Sequence, residues 1–220
     1  NPVDKPELQG ELATAIDGPF QISFQACNQS VSSNSSPAIR WRMGNSGKSV
    51  NSGGRSAFSL SWHADLHFSA SYRTSSNTTA TLSSAPLAPG VHDVTMVGNH
   101  STNQTYSYEL FGESRTLSPL AYDIFIDDVL FNSDAEFAGG LGFSTNNVVT
   151  EYDPALGLKR FGLLGSSDAN TDPDVWFDNI VVLAGELPTE APIASSGLTT
   201  ADGFLFTSTS GTVYTLQSST

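Results

Sequence analysis

The sequence predicts an all-β chain, an antiparallel sandwich, on three observations. No stretch of eleven or more residues keeps apolar positions at i, i+3, i+4 and i+7 free of Gly, Pro or β-favouring runs, so no amphipathic helix is indicated. Apolar and polar residues alternate with a period of two instead, the pattern of half-buried strands. The alternating segments are separated by clusters of Gly, Asn, Pro and Ser, which favour turns.

Taken in order, residues 1–15 carry two prolines and little pattern and read as an extended arm. The sandwich is expected over 16–185. Phe20, Ile22, Phe24 and Ala26 alternate with polar residues. So do Ile39, Trp41 and Met43, which places Arg40 and Arg42 together on the opposite face. From Phe58 to Tyr72 every second residue is apolar or aromatic. Such a run is longer than a usual strand of 3–10 residues, so a bend or turn is expected near Ala64 and Asp65. Further strands are expected in GVHDVTMVGN, TYSYELFG, YDIFIDDVLF, GGLGFST and DVWFDNIVVL. Trp41 and Trp62 sit on apolar stripes and read as core. The strand carrying Trp176 is apolar on both sides and reads as central or covered. Residues 186–202 have linker composition, and 203–220 read as a β-hairpin around Ser210 and Gly211.

Charge narrows the function. The 220 residues carry 22 acidic and 9 basic side chains, a net charge of −13, with only three lysines. Such a chain cannot build the positive stripe that neutralises phosphates, which argues against nucleic acid. An anionic membrane surface would repel it too. Its apolar runs are interrupted by Asp well short of the roughly 20 residues of a spanning helix, so no membrane insertion is expected. Cys27 is the single cysteine, so no disulfide can close within the chain. Ser and Thr occupy 52 of the 220 positions, the outward half of alternating strands. No basic stretch followed by an apolar one opens the chain, so any export signal is expected to have been removed or never to have belonged to this chain. The composition reads as that of a secreted, extracellular or cell-surface protein.

The run LAPGVHDVTMVGN, followed by TYSYELFG and YDIFIDDVLF, resembles the laminin-G-like or concanavalin-A-like jelly roll. DPDVWFDNIVVL resembles the final strand of secreted jelly rolls of that superfamily, and the last 18 residues resemble the opening of a fibronectin-like repeat. The resemblance spans about residues 16–185. It implies an antiparallel jelly-roll β-sandwich, the extended arm and C-terminal hairpin lying outside it. It leaves function open, because the fold hosts lectins, hydrolases, lyases and structural modules.

Two constellations stand out. Asp168, Asn170, Asp172 and Asp174 place oxygen ligands on alternate residues, as Ca²⁺ requires with its 6–8 oxygens at about 2.3–2.6 Å. The pattern lacks the central Gly and distal Glu of a calcium loop, and a solvated acidic turn would look the same. The resembled family often holds a structural Ca²⁺, which adds to the calcium reading. His63, Asp65 and His67 would share a strand face, where two imidazoles can share Zn²⁺ and a carboxylate can orient a histidine. The alternatives are a solvated face, or a turn that separates the histidines.

A hydrolase needs two carboxylates flanking the bond; Asp123, Asp127, Asp128, Asp134 and Glu136 are candidates. The Glu-x-Asp-x-x-Glu strand motif of the resembled hydrolases is missing. A lyase would use Arg40 and Arg42 for the uronate, with His63, His67, Tyr106 or Tyr108 as base. Five Asn-x-Ser/Thr sequons, at Asn28, Asn34, Asn77, Asn99 and Asn103, fall in loop-like stretches.

The leading expectation is therefore a non-catalytic extracellular module that binds a polysaccharide or glycoprotein surface, or a like protein surface. Ligand-binding residues are expected at His63, Asp65, His67, Arg40 and Arg42, with structural Ca²⁺ at the acidic loop. The alternatives are a fibre or surface-layer subunit and a polysaccharide lyase or hydrolase. The fibre would be a homo-oligomer joined by strand exchange through residues 1–15 or 203–220.

Overall fold

The structure, a computed structural model, describes residues 7–28, 35–51, 53–74, 78–131, 140–144, 151–165 and 175–185, with the strands at 204–207 and 213–216. The chain is all-β, and its antiparallel sheets form the sandwich that the alternation predicts. In chain order the strands are β1 (Glu7–Ile16), β2 (Pro19–Asn28), β3 (Pro37–Gly44), β4 (Ser56–His63), β5 (Phe68–Arg73), β6 (Thr79–Ser83), β7 (Gly90–Asn99) and β8 (Tyr106–Leu110). They continue as β9 (Glu113–Leu117), β10 (Ala121–Ile126), β11 (Val129–Leu130), β12 (Leu141–Gly142), β13 (Leu158–Gly165), β14 (Val175–Ala184), β15 (Phe204–Thr207) and β16 (Val213–Leu216). No helix among the described residues is long and apolar enough to cross a membrane.

The first sheet runs β1-β13-β3-β4-β5-β6. Trp41 lies opposite Leu60 and Leu163, and Met43 opposite Phe58 and Phe161, so one face of three neighbouring strands is apolar. Trp41 and Trp62 are each 1% exposed, as the stripes predict. Trp41 stacks on Phe161, centroids 5.8 Å apart and planes within 7°. The Phe161 ring in turn lies over Gly10, where a Cβ would come within 2.5 Å of its Cζ. Gly10 is thus a glycine because an aromatic ring occupies the space above it.

One sequence reading changes in this sheet and another is met. The segment read as an extended arm outside the sandwich is extended, but from Glu7 to Ile16 it is hydrogen-bonded along β13 and forms an edge strand. Its weak pattern reflects that position, since an edge strand rich in half-exposed residues needs no strict alternation. The long run over 58–72 is a hairpin, with the chain reversing at 64–66, where the bend is expected. Leu66 takes φ 71° there, and the His63 N–H donates to the His67 carbonyl at 2.9 Å.

The second sheet follows the path β11-β10-β7-β2-β14. Phe20, Ile22, Phe24, Met96, Tyr122 and Ile124 are all buried, and the Phe20 ring lies against Gly98, where a Cβ would meet it at 2.2 Å. The stretch read as one strand, YDIFIDDVLF, is two. Asp127 (φ 50°) and Asp128 (φ 65°) form a two-residue turn between β10 and β11, with Ile126 opposite Val129. Two left-handed residues in a two-residue loop are the type I′ arrangement, which Asp tolerates.

The other face of β7 and β10 is covered by the β8–β9 hairpin. Leu110 and Leu117 of the hairpin pack with Val97, Ala121 and Phe125. A buried ion pair fixes the hairpin: Asp123, 0% exposed, accepts from Arg115 Nε at 2.6 Å, Arg115 Nη2 at 3.1 Å and the Tyr108 hydroxyl at 2.6 Å. Asn99, 1% exposed, gives its amide N–H groups to the carbonyls of Gln104 and Ser118. The Asn99 side chain so placed has no room for a glycan, whereas Asn103 is exposed. β15 and β16 pair with each other, Phe204 opposite Leu216.

Candidate functional site

The candidate site is the polar face of the first sheet. Strand alternation puts Arg40 and Arg42 there, and register places their neighbours. Arg42 lies opposite Ser59, Ser59 opposite Ser71 and Ser71 opposite Thr81. One step along, Arg40 lies opposite Ser61, Ser61 opposite Ser69 and Ser69 opposite Ser83. Serine is a poor strand former, so rows of it across β4 and β5 give a floor of small hydroxyls rather than packing bulk. Arg73 ends β5 on the same face, opposite Thr79.

Where β4 begins and β5 ends, side chains from both faces of the sheet surround a recess of about 180 Å³. It is lined by Ser59, Ser71, Thr79 and Ser144, by Arg42 and Arg73, and by Tyr72 and the buried Phe58. Tyr72 lies against Gly142, where a Cβ would come within 2.7 Å of its ring, so the segment before Ser144 is pressed onto it. The Ser144 Oγ accepts from the Arg73 backbone N–H at 3.1 Å.

Arg42 is held in place by neutral groups. Its Nε donates to Ser59 Oγ at 3.2 Å, and its Nη1 to the carbonyls of Asn51 at 2.8 Å and Val50 at 3.3 Å. The loop that supplies those carbonyls is itself tied down. Gln9 accepts from the Val50 N–H, Glu11 accepts from the Gly47 N–H, and buried Asn45 bonds the Asp153 and Gly157 carbonyls. Burial, with Arg40 and Arg73 nearby, pushes the Arg42 pKa down to about 10. Burial lowers that of Arg40 as well.

His63, Asp65 and His67 come together by a different route from the one the spacing suggests. Because the chain reverses at 64–66, His63 and His67 face each other across a hairpin, not along one strand. Their rings stack with centroids 3.6 Å apart, and His67 Nδ1 meets Asp65 Oδ1 at 2.5 Å. The Ser35 carbonyl, 2.7 Å from His63 Nδ1, can only accept, so Nδ1 carries the proton. His63 Nε2 then accepts from the Ser69 hydroxyl at 2.7 Å. Both nitrogens of His63 are thus engaged, which leaves no lone pair for a Zn²⁺ shared with His67. No group of three or more His, Cys, Asp or Glu able to hold a metal occurs among the described residues.

Burial holds the His63 pKa below its ordinary value, outweighing the opposing bond from the Ser35 carbonyl; His67 and Arg40 lower it further and Asp65 raises it. Below about pH 6.5 the unfolded chain therefore binds a proton that the folded chain resists. This contribution to stability is complete above that pH and is lost as pH falls towards the depressed folded value. His63→Gln is expected to lower Tm at neutral pH yet flatten its decline between about pH 6.5 and 5. An unchanged slope in thermal melts would refute this.

Of the carboxylates considered for hydrolysis, Asp123 and Asp127 are taken up by neighbouring side chains and Asp128 lies in the β10–β11 turn. Asp123 is engaged by Arg115 and Tyr108, and Asp127 by His92 Nδ1 at 2.6 Å and the Asp93 N–H at 3.0 Å. Asp134 and Glu136 lie outside the described residues, as do Asp168, Asn170, Asp172 and Asp174. Sequence reasoning missed Arg73 and the recess. The parity that groups Ser69, Ser71 and Arg73 was visible, but only the β4–β5 register brings them beside Arg42.

No protein-family model matches the chain, and no curated protein matches its sequence. Among solved structures, it is similar to sheep galectin-11 in complex with glycerol, at 9% identity and a TM-score of 0.43, over 80% of this chain and 96% of that one. The binding domain of botulinum neurotoxin serotype G gives 8% identity and 0.44, over 83% of this chain and 38% of the other. The Trypanosoma rangeli sialidase gives 14% and 0.40, over 76% and 20%. The chain thus spans well under half the length of the toxin and sialidase chains. Likeness of this degree carries no argument about ligand or residues, and the site rests on its own geometry.

Proposed function

We propose that this chain is a non-catalytic, extracellular β-sandwich module that binds a glycan on the polar face of its first sheet. The observation that carries the reading is the make-up of the recess. Hydroxyls and guanidinium N–H groups that suit sugar hydroxyls converge there, with the half-buried Tyr72 at its border. Its size, about 180 Å³, is below the roughly 300–1,000 Å³ of a drug-sized pocket and suits a single ring of a longer chain. Arg40 and the His63–His67 stack extend the face beyond the recess. Asp168, Asn170, Asp172 and Asp174 bind a structural Ca²⁺ in this reading, tested by the effect of EDTA on Tm.

The test is a glycan-binding screen of the full chain followed by calorimetry on the hits. Ser71→Trp, at a half-exposed position, is expected to fill the recess and weaken binding at least about tenfold, the loss of a few contacts, while Tm changes little. Unchanged affinity in this variant, or no glycan bound at all, would overturn the reading.

A further inference from the structure

The geometry points to Gln9 of the edge strand β1 as a positioning residue for the recess, acting on Arg42 through the 46–51 loop; this rests on the reading of the recess as the sugar site. Gln9 lies opposite Gly162 and Gly162 opposite Arg42, so the three stand in one row across β1, β13 and β3. The row runs on from Arg42 to Ser59 and Ser71, and these three line the recess. Residues paired in this way share a face of the sheet. Gly162 has no side chain, and the loop takes the place one would fill. A Cβ there would come within 2.6 Å of Val50 Cγ2.

Val50 is fully buried, and its main chain bonds the residues on either side of that gap. Its N–H donates to Gln9 Oε1 at 3.2 Å, and its carbonyl accepts from Arg42 Nη1 at 3.3 Å. Gln9 Nε2 also donates to Ser49 Oγ at 3.0 Å. Glu11, two residues on and so on the same face of β1, accepts from the Gly47 N–H at 2.8 Å and the Ser46 hydroxyl at 3.1 Å. β1 therefore grips the loop at two places, and the loop passes the restraint to Arg42 through the carbonyls of Val50 and Asn51. An arginine held before a sugar arrives gives up less rotamer freedom on binding it, which strengthens binding without adding a contact. Gln9 supplies part of that preorganisation from two strands away.

The experiment compares the full chain with Gln9→Leu, which removes both polar atoms, and with Gln9→Glu, which keeps an acceptor for the Val50 N–H. NMR relaxation of the Arg42 Nε–H is read first, with no sugar present, against the Arg115 Nε–H, which Asp123 holds. In Gln9→Leu the order parameter of Arg42 should fall while that of Arg115 stays, and Gln9→Glu should restore it. Calorimetry with cellohexaose, chitohexaose and oligogalacturonate follows. Whichever of them the parent binds should bind Gln9→Leu about threefold to tenfold more weakly, the worth of one neutral hydrogen bond. Should Gln9→Leu loosen β1 itself, Gly162→Ala displaces Val50 while leaving the β1 side chains unaltered, and should lower the Arg42 order parameter in the same way. An Arg42 as ordered in both variants as in the parent means that other contacts hold it, and overturns the assignment. A loosened Arg42 with unchanged affinity overturns it too. No sugar bound by the parent, with Arg42 loosened in the variants, sinks the glycan reading and supports the hold of Gln9 on the arginine.

Discussion

Asp123→Ala is expected to cost about 3–5 kcal/mol of folding stability, the usual price of removing one partner of a buried ion pair. Asp123 is fully buried and takes three hydrogen bonds from Arg115 and Tyr108. Its loss leaves a guanidinium whose side chain is only 16% exposed without its anion, and a half-buried phenol without its acceptor. Because both donors sit on the β8–β9 hairpin, the damage should be local first. Proteolysis within 106–117 should precede global unfolding in the variant, whereas the parent resists it. Asp123→Asn keeps the shape and loses the charge, so it should fall between the two. Urea denaturation that gives a loss below about 1 kcal/mol for the alanine variant would show that the pair is replaceable.

Trp41→Ala should be comparably severe, about 3–5 kcal/mol, since it deletes a buried aromatic and leaves a cavity. Its consequence reaches the edge of the sheet. Trp41 stacks on Phe161, and Phe161 covers Gly10 of β1. With the indole gone, Phe161 can tilt into the space and uncover that glycine. Amide exchange in β1 should therefore accelerate more than in β4, although Trp41 has its own strand opposite β4. Equal acceleration in both would mean that the aromatic row transmits nothing.

These residues also show where sequence reasoning held and where it failed. The stripes through Trp41, Trp62, Phe20 and Phe24 were legible because a strand with one dry face must alternate. β1 was misread, since most of its residues are half-exposed or exposed and its partner β13 lies far along the chain, with Glu7 opposite Leu164. Its identity depends on the partner more than on its own pattern. The turn at Asp127 and Asp128 was hidden because both residues also fit the alternation of a continuing strand. In the site, Arg40 and Arg42 were placed together by parity alone. Arg73 was not, as joining it to Arg42 needs the reversal at 64–66 and the register of two hairpins. The histidines met through that same reversal, which turned a proposed i, i+2 pair on one strand into a stacked pair across a turn.

The grip on Arg42 has a consequence for how this site could be traced in other chains. The loop holds the guanidinium through the main-chain carbonyls of residues 50 and 51, which every amino acid possesses. The side chain at 51 is exposed and is not read by the arginine. What must stay constant is the number of residues between Gly44 and Ser56, because one insertion would carry both carbonyls out of reach. A search for this site should therefore look for an arginine, a fixed loop length and alternating serines on the next two strands, and let the letters of the loop itself drift.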